Sequence, residues 1–380
     1  MEEPFRTLLW AATRAPSGDN TQPWRFVVQP EERRIAIYVD EARDTSPMNA
    51  GQGMSRIAVG AALENLLRVA ESMGYDVDLE SPRNGAAASV RISGEGTEGE
   101  IDPCITERVT NRRRYDGRPV PPEVIAELQR KTPDLERVRT HWIHDRHRLL
   151  ALAALIGQAD RLMLGEPSMR RAFLDNVRFD VPENTEVEEG LPVASLELPA
   201  PQRLALRVLP KIPDWLLKAT GATRQFASAA RRLVASASGL CVVTQEGGCP
   251  ERDVIAGRAI QRAWLAMTRR GLAAQPMMSL AILENLQLHA VTEPMVRIGP
   301  KRITRVLAQF RALVPETGDE RIAFIMRFGS APPPTGRAER FRLERVSEVV
   351  RVPTARQRSG APLPPCKQPI EQAAPAPADG

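Results

Sequence analysis

Aromatic residues fill only 4% of the 380 positions, and there are just four cysteines. With so few rings available, a groove that stacks successive bases of single-stranded nucleic acid is disfavoured. The cysteines are far apart and form no CxxC pair, which argues against a disulfide framework or a zinc knuckle. We therefore expect reduced thiols at Cys104, Cys241, Cys249 and Cys366.

Long runs of one residue type are also missing. No apolar stretch approaches the ~20 residues of a membrane span, and the first residues lack a basic region followed by an apolar one. The 52 Lys and Arg alternate with the 47 Asp and Glu instead of forming blocks. The sequence thus predicts a cytoplasmic protein with neither a membrane nor a nucleic acid as partner.

Three histidines recur at a spacing of three residues, at His141, His144 and His147. Such a series could in principle hold a metal ion. A strand or loop that turns Trp142 and Ile143 inward explains the pattern better. We therefore expect no metal site.

Hydrophobic residues at 42% and charged residues at 26% are typical of soluble globular proteins, and 380 residues suit one large core or two fused ones. Apolar periodicity and turn residues predict an α+β chain. The clearest elements are a helix over 5–15, a hairpin of strands 24–29 and 34–40, a buried helix over 55–74 capped by Ser55 and Gly74, a strand over 241–245, a helix over 253–270 and a strand over 321–328.

A second unit begins near Ile105, which divides the chain into residues 1–100 and 105–350. Prolines and acids accumulate over residues 178–222, where we expect an insertion or lid that includes an amphipathic stretch at 203–217. The proline- and alanine-rich tail over 352–380 has the composition of a disordered segment.

The first segment suited to ligand binding is Ala15-Pro16-Ser17-Gly18-Asp19-Asn20-Thr21-Gln22-Pro23-Trp24, between a helix and a strand. Its small residues let the backbone approach a ligand, and its amides and hydroxyl offer donors and acceptors. A plain polar turn would explain it about as well. The segment also resembles the APSxxNxQPW turn of the nitroreductase family. By that resemblance Pro16, Ser17, Gly18 and Asn20 contact a flavin.

The second segment runs from Arg108 to Pro121 and holds several guanidinium groups beside a hydroxyl and an amide, a set that could clamp a phosphate. A solvated basic turn is the alternative. The segment is similar to the RxTNRRPF start of nitroreductases of the double-length, Acg-type branch. The resemblance implies that Arg108, Thr110, Asn111 and Arg112 hold the phosphate and ribityl chain of FMN.

Two later segments carry weaker resemblances. Gly271 to Ser279 is similar to the family's segment along the flavin, which implies cofactor contacts from Pro276, Met277, Met278 and Ser279 and from the backbone amides after Pro276. Met278-Ser279 replace the family's usual Glu-Gly. The stretch after Phe328 resembles the family's terminal strand and turn, which implies a phosphate contact from Arg340, with Arg337 as a competitor.

Together the resemblances imply a nitroreductase-like α+β fold with a central mixed or antiparallel sheet flanked by helices. Because the phosphate motif comes only after about 105 residues, they imply two pseudo-symmetric halves that mimic a homodimer within one monomeric chain and share one FMN site. The implied activity is a two-step transfer from NAD(P)H through FMN to a small electron-poor acceptor. A flavin-sequestering protein whose lid excludes NAD(P)H is the alternative.

Overall fold

The computed structural model describes residues 3–97, 99–180, 188–221, 223–291 and 295–351. The tail predicted to be disordered, 352–380, lies outside the described residues. Helices and strands form two groups, each with its own sheet, so the predicted α+β class is confirmed. No helix in the described ranges is long and apolar enough to cross a membrane.

The first group is a helix, a hairpin, a long helix and two further strands. The predicted hairpin is confirmed, since its strands pair antiparallel from Trp24 opposite Val39 to Gln29 opposite Arg34. Its elements are α1 (Phe5–Thr13), β1 (Trp24–Gln29), β2 (Arg34–Val39), α2 (Gly53–Ser72), β3 (Asp76–Glu80) and β4 (Ala88–Ser93).

The predicted cap at the start of α2 is wrong. The helix begins at Gly53, and Ser55 lies buried inside its first turn. The Asn49 side chain caps the helix instead, since its Oδ1 accepts hydrogen bonds from the N–H groups of Met54 and Ser55. At the other end Gly74 directly follows the capping residue Met73, with the positive φ of 71° that suits glycine after a helix.

The second group is larger, and the insertion lies within it. The predicted amphipathic stretch at 203–217 is split into two short helices because Pro210 and Pro213 interrupt the helical hydrogen bonds. The first part of the group holds α3 (Cys104–Glu107), α4 (Pro122–Lys131), β5 (Val138–Ile143), α5 (Arg146–Gly165), α6 (Pro167–Asp175), β6 (Val177–Arg178), β7 (Leu191–Pro192), α7 (Ala200–Val208), α8 (Asp214–Ala219) and α9 (Thr223–Ala235).

The remainder of the group supplies the central strands and the long helix of its core. The predicted buried strand and the helix after it are confirmed with slightly longer bounds. The elements are β8 (Gly239–Gln245), α10 (Pro250–Arg269), β9 (Ala273–Pro276), α11 (Ser279–Leu288), α12 (Pro300–Leu313), β10 (Arg321–Gly329), α13 (Leu343–Val346) and β11 (Ser347–Val349).

The sheets show how the chain closes on itself. The strand order is β11-β1-β2-β4-β3 in the first sheet and β5-β8-β10-β9 in the second. The second sheet is antiparallel throughout, whereas the first is mixed because β11 lies parallel to β1, with Phe26 opposite Ser347. The division at residues 100–105 remains a prediction, and the C-terminal strand β11 joins the sheet of the first half.

The two groups meet where α2 packs against α10. Gly60 of α2 and Gly257 of α10 let the helix backbones approach so closely that a Cβ on either would lie about 2 Å from the opposite carbonyl oxygen, Val254 O or Ile57 O. Apolar side chains of both helices continue into the neighbouring cores. This junction sets the position of the cavity described below.

The histidine series does not gather a metal site. His141 lies on β5 and its Nε2 is 2.8 Å from the Thr244 hydroxyl, while Trp142 and Ile143 are buried as expected. Among the described residues no group of three His, Cys, Asp or Glu could hold a metal ion. Cys104 and Cys241 are buried free thiols, and burial raises the pKa of Cys104 to about 11.

Candidate functional site

A cavity of about 260 Å³ lies beside the junction of α2 and α10. Both helices line it, as do the turn after α1, the segment after α3, the end of β9 and the stretch after β10. Eleven of the fourteen residues predicted to bind a cofactor line this one cavity. They are Pro16, Ser17, Gly18, Asn20, Arg108, Thr110, Arg112, Pro276, Met278, Arg337 and Arg340.

The turn after α1 takes its shape from left-handed residues. Asp19 and Asn20 have φ of 44° and 59°, a region that Asp and Asn tolerate better than most residues. The Ser17 hydroxyl accepts a hydrogen bond from the Gln22 N–H at 3.0 Å and closes the turn. The turn therefore presents its backbone and short side chains to the cavity.

A cluster of four arginines lies at one end of the cavity. Arg108 is buried, its Nη2 donates to Arg14 O at 2.9 Å, and its guanidinium lies 4.8 Å from the Trp264 ring centre. Arg340 donates to Ala15 O and to Asn20 Oδ1, and Arg337 donates to Arg108 O and Thr106 O. These donors are oriented by backbone carbonyls and one amide, not by carboxylates.

The cluster carries net positive charge, which Glu339 near Arg14 and Arg340 offsets only in part. Burial lowers the pKa of Arg340 to about 9, with Arg14 and Arg337 as further causes, and burial with Arg340 and Arg337 holds the pKa of Arg108 well below its usual value. Guanidinium stays protonated in proteins, so these shifts indicate charges that burial, and then repulsion by neighbouring arginines, make costly, not neutral arginines. The buried Arg108 Nε has no hydrogen-bond partner in the described part of the chain. An anion at this end would satisfy both the donor and the charge.

The segment from Arg108 to Arg112 is fixed against β9. Thr110 forms an isolated parallel bridge with Ala274, and the Asn111 N–H donates to Ala274 O at 2.9 Å. The Asn111 side chain donates to Pro332 O at 2.8 Å. This bridge explains why segments more than 160 residues apart line one cavity.

The rest of the cavity wall is largely apolar. Side chains from α2, α10 and the start of α11 face one another across it, which suits a flat, weakly polar ligand surface. The principal ones are Met54, Ile57, Ala61, Ile260, Trp264 and Met278.

Two carboxylates, Asp19 and Asp44, also line the cavity. Burial raises the pKa of Asp19 to about 6, although nearby Arg112 acts in the opposite direction and Asp44 adds to the rise. Burial also raises the pKa of Asp44, while hydrogen bonds from Ser46 oppose the change. The charge of Arg112 is therefore partly balanced within the cavity, as Glu339 partly balances that of Arg340.

The insertion is attached to the same residues that line the cavity. Glu188 O accepts hydrogen bonds from Asn20 Nδ2 at 3.1 Å and Gln22 Nε2 at 2.6 Å, and Ser195 O accepts one from Arg112 Nη1 at 3.1 Å. Glu197 accepts from Thr335 and lies 3.3 Å from Arg113 Nε. Leu191 and Ser195 are part of the cavity wall. The insertion thus supplies part of the cavity wall, and its role as a lid remains a prediction.

Three predicted residues lie outside the cavity lining. Asn111 is buried and bonded as described above. Met277 is buried in the core, and its N–H already donates to Ile325 O at 2.8 Å. Ser279 is buried at the start of α11. Their predicted cofactor contacts remain predictions, and the structure gives Asn111 and Met277 roles in holding the backbone of the site.

The sequence patterns missed several residues of the site. Arg14 directly precedes Ala15, the first residue of the turn that the sequence identified. This neighbouring position was the sequence signal that could have pointed to Arg14. Trp264 and Ile260 lie four residues apart on α10, a spacing that a buried helix shows whether or not it lines a cavity. Asp44 belongs to a loop with no recognisable motif.

The segment that carries the turn also has a sequence match. The nitroreductase family model matches residues 2–46, which include Pro16, Ser17, Gly18 and Asn20. Residues 2–46 are thus similar to the nitroreductase family, which confirms the resemblance inferred from the sequence at this segment. The segment supplies one wall of the cavity.

Longer matches are more distant. The chain is similar to an uncharacterized protein, MT1398, from Mycobacterium tuberculosis, with 26% identity over 340 residues. The match covers 86% of this chain and 45% of that protein, so the chain spans about half the length of this curated relative.

Solved nitroreductase-like structures superpose loosely. The FMN-dependent nitroreductase NfnB from Mycobacterium smegmatis, in complex with NADPH, has 17% identity and a TM-score of 0.36, covering 66% of this chain and 97% of that one. Iodotyrosine deiodinase bound to FMN and 3-iodo-L-tyrosine has 16% identity and a TM-score of 0.33, covering 63% of this chain and 94% of that one. Superpositions this loose transfer no ligand to the present chain.

Proposed function

We propose that the chain is an FMN-binding oxidoreductase that passes electrons from NAD(P)H to a small electron-poor acceptor, such as a nitro compound or a quinone. The observation that carries the proposal is the cluster of Arg14, Arg108, Arg337 and Arg340 beside a largely apolar cavity, in which buried Arg108 has no carboxylate partner among the described residues. FMN has the matching shape, with a phosphate at one end and a flat ring system at the other.

The residues divide by role along the cavity. Arg108, Arg337 and Arg340 would bind the phosphate through charge-assisted hydrogen bonds. Thr110 and Arg112 would contact the ribityl chain, and Asn111 and Met277 hold the backbone around them. This assignment agrees with the nitroreductase resemblance at both motifs.

The ring end of the site would be formed by the turn at 16–20 together with Pro276 and Met278. Apolar side chains exclude water there, which strengthens the influence of the Arg112 charge on any negative charge that develops in the cavity. Bound FMN supplies the hydride chemistry itself, so no catalytic acid or metal of the protein is required. We further propose that the chain acts as a cytoplasmic monomer, with the α2–α10 pair in place of a dimer interface.

The attachment of the insertion favours a second candidate, a flavin-sequestering protein. Asn20, Gln22 and Arg112 each donate to a backbone carbonyl of the insertion. A lid held this way can keep NAD(P)H out as readily as it can open for it.

The deciding experiment is a visible absorption spectrum of the purified protein after incubation with FMN, recorded anaerobically before and after NADPH and then NADH. Flavin bands that bleach support the oxidoreductase. Bands that persist with both nucleotides but bleach with dithionite support sequestration. Absence of bound flavin after reconstitution contradicts both candidates.

A parallel titration tests the phosphate end. Riboflavin has the same ring as FMN but lacks the phosphate, so the arginine cluster should favour FMN by about 100-fold or more, the size of one or two charge-assisted hydrogen bonds. Equal affinities for FMN and riboflavin would contradict the assignment of Arg108, Arg337 and Arg340.

A further inference from the structure

The helices of the insertion and the one after it have an unusual charge. Residues 200–235 hold seven Lys or Arg and one Asp, so the other 344 residues hold 45 basic and 46 acidic side chains. The whole positive net charge of the chain therefore belongs to α7, α8, α9 and their connections. The single acid, Asp214, is paired with Arg170 of α6.

The same helices expose large apolar side chains. Leu204 and Val208, one turn apart on α7, are 64% and 43% exposed, and Trp215 and Leu216 on α8 are 69% and 37% exposed. The other exposed large apolar residues of the described chain are scattered singly or in pairs, as is normal for a soluble surface. Four exposed large apolar residues within the thirteen positions 204–216 indicate a contact surface.

Exposed basic groups follow these apolar ones along the chain. Helix α9 buries Ala230 and Val234, which leaves Arg224, Arg231 and Arg232 exposed on its outer side. These three make no ion pair with any residue that the structure describes. Lys211 lies exposed in the connection between α7 and α8.

We propose that the exposed sides of α7, α8 and α9 together dock on an anionic lipid bilayer and form one docking surface. Helices that combine exposed Leu and Trp with Arg and Lys lie in the interface of such bilayers, with apolar side chains among the acyl chains and cations at the headgroups. Trp215 is the residue type that prefers this boundary.

Charge and exposed apolar side chains favour an anionic bilayer over two other partners, a second copy of the chain and nucleic acid. Two copies of the chain pairing through the surface would place like charges opposite one another, which disfavours a self-complementary interface. Nucleic acid would satisfy the cations but not the exposed Leu204, Val208 and Trp215. The docking is independent of flavin chemistry, and it departs from the expectation of no membrane partner drawn from the sequence.

The test is co-sedimentation of the full chain with vesicles of phosphatidylcholine alone or with 30% phosphatidylglycerol, at about 0.1 M and about 0.5 M salt. We expect binding to the anionic vesicles, loss at high salt because charges are screened, and little binding to neutral vesicles. Equal binding to both vesicle types, or no binding to the anionic ones, would overturn the proposal.

Variants locate the surface. Reversal of three charges in R224E/R231E/R232E should lower the partition coefficient at least 100-fold, since each basic residue near an anionic surface contributes about fivefold. Trp215→Ser should lower it about tenfold. The matched control, R6E/R83E/R302E, makes the same change in net charge at exposed positions elsewhere. A control that loses as much binding as the test variant would overturn the location, and circular dichroism verifies that each variant is folded.

Tryptophan fluorescence gives a second readout. Anionic vesicles should shift the emission to the blue in the wild type, and Trp215→Phe should remove the shift while the protein still sediments with the vesicles. Light scattering tests for pairing of two copies of the chain, and a titration with duplex DNA tests for nucleic-acid binding. Self-association that Trp215→Ser abolishes, or DNA binding without vesicle binding, would contradict the proposal.

Discussion

Two groups of arginines in this molecule differ in whether carboxylates match their charge. At the α2–α10 junction, Glu64 accepts hydrogen bonds from Arg68, Arg258 and Arg262 at 2.7–3.2 Å. At the start of α10, fully buried Asp253 accepts from Arg56 and Arg321.

In the cavity cluster Arg108 has no carboxylate partner among the described residues, and neighbouring arginines lower its pKa further. Buried charge is costly unless it is paired. The junction is balanced within the protein and serves the fold, whereas buried Arg108 has a charge that a bound anion would match. The following variants test this difference between the junction and the cavity.

The largest effect is expected at the junction, from Asp253→Asn. The change leaves Arg56 and Arg321 buried with reduced compensation, so the free energy of unfolding should fall by about 3 kcal/mol or more, measured by urea denaturation. Asp175→Asn, at an exposed position with no ion pair to any residue that the structure describes, is the matched control and should change the free energy of unfolding by less than about 0.5 kcal/mol. A similarly small loss from Asp253→Asn would contradict a structural role for the junction.

In the cavity we expect the opposite result, a small effect on stability and a large effect on FMN binding. Arg108→Gln removes one of several repelling cations, so the apoprotein should change in stability by less than about 1 kcal/mol. Its dissociation constant for FMN should rise about 10- to 100-fold, because a charge-assisted hydrogen bond is lost. Quenching of flavin fluorescence measures the constant. Arg114→Gln, exposed in the same segment and outside the cavity lining, should bind FMN like the wild type; if it weakens binding as much, the cluster is not the phosphate site.

Replacement of Asp19, the carboxylate near Arg112, tests this part of the cavity through the pH dependence of stability. Its pKa of about 6 lies above the 3.8 of an unperturbed Asp, so the folded state retains the proton longer than the unfolded state. The wild type should therefore lose stability as pH rises from about 4 to about 6. Asp19→Asn, which tolerates the same left-handed φ, should be more stable than the wild-type apoprotein by about 1–3 kcal/mol at pH 7 and equal to it near pH 4.

The control for this pH profile is Asp116→Asn, which changes a carboxylate outside the cavity lining. A difference between Asp19→Asn and the wild type that does not vary with pH would show that titration of Asp19 is not its cause.

The smallest effect concerns the lid. Glu197→Gln weakens the contacts with Thr335 and Arg113, and one lost hydrogen bond corresponds to an increase of about threefold to tenfold in the rate of FMN release. Stopped-flow fluorescence measures this rate. Glu189→Gln, which breaks only a contact with exposed Arg345, should leave it unchanged. Equal rates in all three proteins would mean that the insertion does not retain the cofactor.

Local patterns predicted much of this structure. The hairpin at Trp24–Val39 and the long helices α2 and α10 follow directly from apolar periodicity and turn residues. The cap at Ser55 was wrong because Asn49, from the preceding loop, bonds the same N–H groups. Such a competition is decided by the path of the loop, which no local pattern specifies.

The site could be predicted where it consists of motifs and not where it consists of helix faces. The turn at 16–20 and the segment at 108–112 were identifiable from their residues, and the structure brings them to one cavity. Trp264 and Asp44 reach the cavity only through packing of elements distant in sequence. The Met277 N–H donates a hydrogen bond to Ile325 O, and this bond likewise depends on how β9 pairs with β10.

The pairing of β1 with β11 has a consequence for synthesis on the ribosome. The strand that covers the free edge of residues 24–29, residues 347–349, is translated more than 300 residues after them. At roughly 5–20 residues per second, the nascent chain keeps this edge unpaired for about 15 seconds or longer. An unpaired edge beside Phe26 and Val28 is a site for incorrect strand addition, so this protein should depend on chaperones chiefly while it is still attached to the ribosome.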